Sequence, residues 1–142
     1  MAEAALAGAG PSAQLFAADQ ASANAMLQAA GYLFICPENL GTMSGAMKEF
    51  FDRCYYPLLE RIAGRPYATA IAAGSDGRGA EAQIDRIATG WRLRRVAPGL
   101  IVNLGAQRPE AILAPKTVAP AFLAQSREIG AMLAEGLRLG IF

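Results

Sequence analysis

The sequence predicts an α/β domain built on a parallel sheet, and three observations carry that expectation. Short apolar runs alternate with stretches of helical spacing along most of the chain. The clearest run, Tyr32-Leu33-Phe34-Ile35-Cys36, contains no charged residue, as expected of a strand covered on both faces. Regular alternation of the two kinds of segment implies parallel pairing with helices on both faces of the sheet.

Taken in order, Met1 to Gly8 is alanine-rich with good helix propensity and is stopped by Gly10-Pro11. Ala13 to Ala17 is a short apolar run, expected as a strand. Asp19 is placed to cap a helix reaching about Ala29, and Gly31 breaks it before the Tyr32–Cys36 strand. Pro37 to Thr42 reads as a turn-rich loop. From Met43 the apolar residues Met47, Phe50, Phe51, Cys54 and Leu58 follow at steps of 4, 3, 1, 3 and 4, a helical stripe. Gly64 and Pro66 end that element. Tyr67 to Ala73 is the next strand, and Gly74 to Gly79 a flexible loop. Ala80, Ile84, Ile87, Ala88 and Trp91 again fall at helical spacing. Val96 and Ala97, then Leu100 to Asn103, make a last strand interrupted at Pro98-Gly99, which places it at the rim of the sheet. Thr117 is expected to cap a final helix with Phe122, Ile129, Met132 and Leu133 inward.

Composition bounds the function. A chain of 142 residues is expected to form one domain, residues 1–142, with a real core. At 54% hydrophobic and 18% charged residues it is not a disordered chain. The 13 basic and 12 acidic residues leave a net charge of +1, which gives no support to nucleic-acid or membrane-surface binding. No apolar run is long enough to span a bilayer, and the start lacks a basic segment followed by an apolar one, so a cytoplasmic location is expected. Histidine is absent, so no histidine-based triad, metal site or imidazole acid/base is available. Cys36 and Cys54 do not form a CxxC pair and read as reduced, buried thiols, with a redox role for Cys36 beside a site as the alternative.

In open α/β sheets ligands bind at the carboxyl ends of the strands. Two loops fall at that end: Pro37 to Gly45, followed by Ala46-Met47-Lys48-Glu49-Phe50-Phe51-Asp52-Arg53, and Ala73 to Ala80. The first resembles the stretch after the third strand of NAD(P)H-dependent FMN reductases and WrbA-like flavodoxin relatives. There a proline-led loop with two glycines opens a helix carrying Lys and Asp-Arg. The likeness runs from about Tyr32 to Val102, roughly half the chain.

The resemblance implies a flavodoxin-like three-layer sandwich with a parallel sheet, a flavin (FMN) cofactor and NAD(P)H as electron donor to a small-molecule redox substrate. It implies that Pro37, Glu38, Asn39, Leu40, Gly41, Thr42, Met43 and Ser44 line one side of the flavin ring. Gly74, Ser75, Asp76, Gly77 and Gly79 would approach its other edge, with glycine allowing the backbone close to the ring. No catalytic side chain and no metal is expected, because the flavin carries the hydride. The plainer alternative is that both loops only join strands to helices.

The same family begins with a strand and a Ser/Thr-rich phosphate-binding loop, whereas this chain is expected to start inside the first helix. That leaves no donor cluster for a phosphate and leaves the Ala13–Ala17 and Tyr32–Cys36 edges unpaired. A flavodoxin-like domain that has lost its cofactor and serves as a binding or assembly module is therefore the rival expectation.

The resemblance implies homo-oligomers, because small flavodoxin-like reductases commonly associate; an exposed apolar strand edge and the tail residues Leu137, Leu139, Ile141 and Phe142 add apolar surface to the same end. Arg78, Arg86, Arg92, Arg94 and Arg95 read as a solvated face and helix end, with attraction of a nicotinamide phosphate as the alternative. Lys48 and Asp52 make a surface pair, and Met43 and Met47 are core. Tyr55 and Tyr56 are expected to pack beneath the preceding helix, or else to stack on a ligand or line a dimer interface.

Overall fold

The computed structural model describes residues 1–142. β1 (Tyr32–Asn39) turns back antiparallel through β2 (Thr42–Met43) and pairs in parallel with β3 (Pro66–Ala73), from Tyr32 against Tyr67 to Pro37 against Ala72. On its other side β3 pairs in parallel with β4 (Arg94–Arg95) and then β5 (Leu100–Asn103). The rim strand is split around Pro98-Gly99, since proline cannot donate to a ladder, but its first part is Arg94–Arg95 and not the expected Val96 and Ala97.

Helices cover both faces. α1 (Ala2–Ala9) lies against α6 (Pro120–Arg138) on one side. α2 (Ala23–Gln28), α3 (Gly45–Leu58) and α4 (Arg78–Gly90) lie on the other, and a short α5 (Pro109–Leu113) precedes α6. The side chains of β3 show why the two faces differ. Tyr67 and Ile71 join Phe34, Phe51, Ile84 and Trp91 in the main core. The alternating alanines Ala68, Ala70 and Ala72 face the other way and leave room for α6 close to the sheet. Glycine does the same between helices: a Cβ on Gly8 would stand 1.9 Å from the Arg127 carbonyl oxygen, and one on Gly130 2.0 Å from that of Ala5.

The main core is aromatic. Phe34 and Phe51 lie 5.2 Å apart, Phe51 and Trp91 5.4 Å, with Trp91 fully buried. Each such pair adds about 0.5–1.5 kcal/mol beyond the area it buries. The Trp91 indole N–H donates to the Tyr55 carbonyl at 3.0 Å, so its one polar group is satisfied. The Tyr55 ring stacks on Trp91 as packing requires, while Tyr56 is exposed.

Four further expectations are corrected. Ala13–Ala17 is not a strand: no neighbouring strand pairs with it, and an extended segment without a ladder gains nothing from its apolar side chains. Leu15 and Phe16 consequently remain 48% and 45% exposed. The helix expected from Asp19 begins at Ala23, because Ser22 supplies the cap by accepting from the Ala25 N–H at 3.2 Å. The last helix starts with Pro120 after Ala119, not at Thr117, since proline suits the first helical turn. Arg95 is not a solvated residue. It reaches Thr69 at 2.8 Å and the carboxylates of Glu81 and Asp85, tying α4 to the sheet.

Candidate functional site

Pro37–Thr42 is a β-hairpin rather than a loop. Glu38 pairs with Met43 and Asn39 with Thr42, leaving Leu40 and Gly41 as the two turn residues. Both adopt positive φ, 53° and 74°. That is the conformation of the two-residue turn whose twist matches the strands. Leucine is an unusual occupant there, and its side chain is fully exposed. No atom beyond its chain neighbours lies within 4 Å of where a Gly41 Cβ would be, so the turn is open on that side.

The hairpin is held on α4 from three directions. The Met43 N–H donates to the Gln83 side-chain oxygen at 2.9 Å. A Cβ on Gly79 would stand 2.0 Å from the Gly41 carbonyl oxygen, so the absence of a side chain there lets the hairpin rest on the first turn of α4. Glu38 accepts from the Gly77 N–H at 2.8 Å through one oxygen and from the Ala80 N–H at 3.0 Å through the other. A carboxylate on a helix N-terminus is favoured by both the free N–H groups and the helix dipole.

A third segment completes this end of the sheet. The Asn103 side chain donates to the Ser75 carbonyl at 2.5 Å and accepts from the Gly105 N–H at 2.9 Å. The Leu104 and Ala106 N–H groups donate to the Ala73 and Gly74 carbonyls at 2.8 and 2.7 Å. Asn103, Gly105 and Ala106 escaped the sequence reading. An asparagine two residues before a glycine at a strand's carboxyl end was the available signal.

The structure therefore brings Glu38, Gly41, Gly77 and Gly79 together and ties Ser75 and Gly74 to the chain after β5. Met43 is buried at the base of the hairpin, and Ser44 caps α3 by accepting from the Met47 N–H at 3.3 Å. Thr42 places its hydroxyl 3.0 Å from the Asn39 carbonyl. Asp76 is outside the cluster, in an exposed pair with Arg78 at 2.6 Å that lowers the Asp76 carboxyl below its ordinary value. Cys36 is buried in β1, two residues before Glu38. Burial pushes its thiol up from the ordinary value, more than a backbone hydrogen bond from Ser44 lowers it, so the reactive thiolate is disfavoured.

This arrangement offers open backbone, a protruding Leu40 and no free acid or base. The sequence matches the family of NADPH-dependent FMN reductases over residues 12–108.

The chain belongs to that family.

Solved structures agree on the fold of this FMN reductase family member. A WrbA-like flavodoxin protein from Agrobacterium tumefaciens superposes with a TM-score of 0.68 at 22% identity, covering 96% of this chain and 87% of that one. A flavodoxin from the domain Archaea gives 0.59 at 14% identity, over 83% of this chain and 72% of the other. An NADPH-quinone reductase from P. pentosaceus gives 0.56 at 13%, over 76% and 71%. No curated protein sequence matches the chain. The flavodoxin-like α/β fold with its mostly parallel sheet is thus shown, with the parallel core formed by β1, β3, β4 and β5.

The residues at this end suit the ring of a flavin better than its phosphate. The open turn at Leu40-Gly41 can meet a flat ring, and the backbone of Ser75 to Gly77 stands beside it. A phosphate at the N-terminus of α4 would have to displace Glu38, whose two oxygens already take two of its N–H groups.

Proposed function

We propose that the protein is a flavin-dependent oxidoreductase that takes electrons from NAD(P)H and passes them to a small-molecule acceptor. Membership of the FMN reductase family supports this, and one observation carries it to this chain. The hairpin and the loop before α4 are braced against each other while the turn backbone at Gly41 stays open. A bound flavin supplies the hydride chemistry. The residues that would hold it are Asn39 to Thr42 on one side and Ser75 to Gly77 on the other. Leu40 provides apolar contact, and the turn backbone provides groups that can hydrogen-bond a ring edge. Glu38 would act indirectly, by keeping the two segments in register.

A compartment that supplies NAD(P)H and keeps thiols reduced suits this reading, and both cysteines are free and buried. No helix is long and apolar enough to cross a membrane.

Following NADPH and NADH oxidation optically, with purified protein and added FMN or riboflavin, tests the activity. The expected result is flavin-dependent oxidation of at least one nucleotide above the rate of free flavin. Folded protein that neither binds flavin nor accelerates oxidation would instead favour the assembly-module reading. The occupation of the α4 N-terminus by Glu38 is the observation that keeps that reading in view.

A further inference from the structure

α4 is gripped from two sides, and only one of them belongs to the candidate site. Toward the hairpin, the Gly77 and Ala80 N–H groups donate to Glu38, and the Gln83 side chain accepts from the Met43 N–H at 2.9 Å. Toward the rim of the sheet, Glu81 and Asp85 both accept from Arg95 of β4. The two grips interleave along the helix. Glu81 directly follows Ala80 within the first turn, and Gln83 lies midway between Glu81 and Asp85.

All three guanidinium nitrogens of Arg95 are engaged. Besides the two carboxylates, it donates to the Thr69 hydroxyl at 2.8 Å and to the Ala97 carbonyl at 3.0 Å. The side chains of Arg95, Glu81 and Asp85 are only 28%, 19% and 32% exposed, so solvent and salt screen their charges weakly. The chain before β5 lies directly on this cluster: a Cβ on Gly99 would stand 1.8 Å from the Glu81 carboxylate and 2.7 Å from the Thr69 hydroxyl. Without the guanidinium, two carboxylates four residues apart on one helix face would repel each other. The first turn of α4 is where that repulsion is relieved, because Glu81 stands in it.

We propose that Arg95 is a positioning residue for the ring-binding end of the site. It acts through α4: by holding Glu81 and Asp85 together it sets where the first turn carries Gly77 and Gly79 against the hairpin. A close-packed contact passes on a displacement of this kind. The contact at Gly79 is close, since a Cβ there would already stand 2.0 Å from the Gly41 carbonyl oxygen. This proposal rests on the reading of that end as a flavin site.

Riboflavin fluorescence titration and amide exchange test it on the whole protein. Arg95→Met should stay folded by circular dichroism yet bind riboflavin about tenfold more weakly than the wild type. Arg94→Met, its exposed and equally charged neighbour, should bind as the wild type does. Removing the orphaned charges as well, in Arg95→Met/Glu81→Gln/Asp85→Asn, should restore most of the lost affinity. Exchange at the Gly77, Ala80 and Met43 amides, which bond across the gap between α4 and the hairpin, should quicken in Arg95→Met and not in Arg94→Met. If Arg95→Met does not fold, Arg95→Lys takes its place in both measurements, since lysine keeps the charge but cannot fork to two carboxylates. Should the wild type bind no flavin, the flavin reading fails by itself, and exchange at the three amides decides the role of Arg95. Wild-type riboflavin affinity in the folded Arg95 variant would overturn the proposal and leave Arg95 a stabilising residue only. So would unchanged exchange at the three amides, or a triple variant that binds as weakly as Arg95→Met.

Discussion

Glu38 is the residue that braces the candidate site. It stands in β1, yet its carboxylate bonds to the N–H groups of Gly77 and Ala80 at the start of α4. Glu38→Ala should therefore lower stability by about 1–2 kcal/mol, the usual cost of a lost helix cap, with Glu38→Gln between the two. Denaturant titration followed by circular dichroism measures both. The two glycines separate support from contact. Gly79→Val drives a side chain into the Gly41 carbonyl, and relieving that overlap should cost about 1–3 kcal/mol of stability and displace the hairpin. Gly41→Val meets no atom but must hold φ near 74°, a strain of about 1–2 kcal/mol. Both should lose flavin binding, measured by fluorescence titration. Only Gly79→Val should also loosen the hairpin, seen as faster amide exchange at Met43.

At the scale of elements, the strands of the parallel sheet were the legible ones. Tyr32–Cys36 is an uninterrupted apolar run, and Tyr67–Ala73 and Leu100–Asn103 are apolar except at Thr69 and Asn103, as strands lying under helices are expected to be. The hairpin was not legible, since Pro37 and Gly41 look like loop residues until Glu38 and Asn39 find Met43 and Thr42 across the turn. Ala13–Ala17 misled for the converse reason: its composition is that of a strand, but pairing is a property of two segments. The link between α4 and the sheet was invisible too, because Tyr67, Thr69, Glu81, Asp85 and Arg95 are scattered in sequence. In that link the Tyr67 hydroxyl donates to Asp85 at 3.0 Å. Burial, the hydrogen bond to Asp85 and the nearby carboxylate charge together push Tyr67 from 10.0 up to about 12. The folded state thus keeps a proton that the unfolded state releases, so stability is full below pH 10 and falls as pH rises toward about 12. Tyr67→Phe should flatten that alkaline decline, measured by urea midpoints between pH 9 and 12, roughly the titration window. An unchanged slope would assign the decline to other groups.

For the whole molecule, the proposed function treats the two ends of the flavin differently: the ring is assigned to the hairpin, and no donor cluster is assigned to the phosphate. The hairpin, the loop before α4 and the turn after β5 meet at the carboxyl end of the sheet, where a flat ring can lie against open backbone. The α4 N-terminus, one set of helix donors at this end, is held by Glu38. Hydrogen bonds to a charged group are worth about 1.5–3 kcal/mol each, so a phosphate that gains none of them adds little affinity. The most direct measurement is a pair of fluorescence titrations of the purified protein, one with FMN and one with riboflavin. The account predicts weak binding of both with similar constants, since the ring carries the interaction. Tight FMN binding with no riboflavin binding would contradict it, because a phosphate site would then govern recognition.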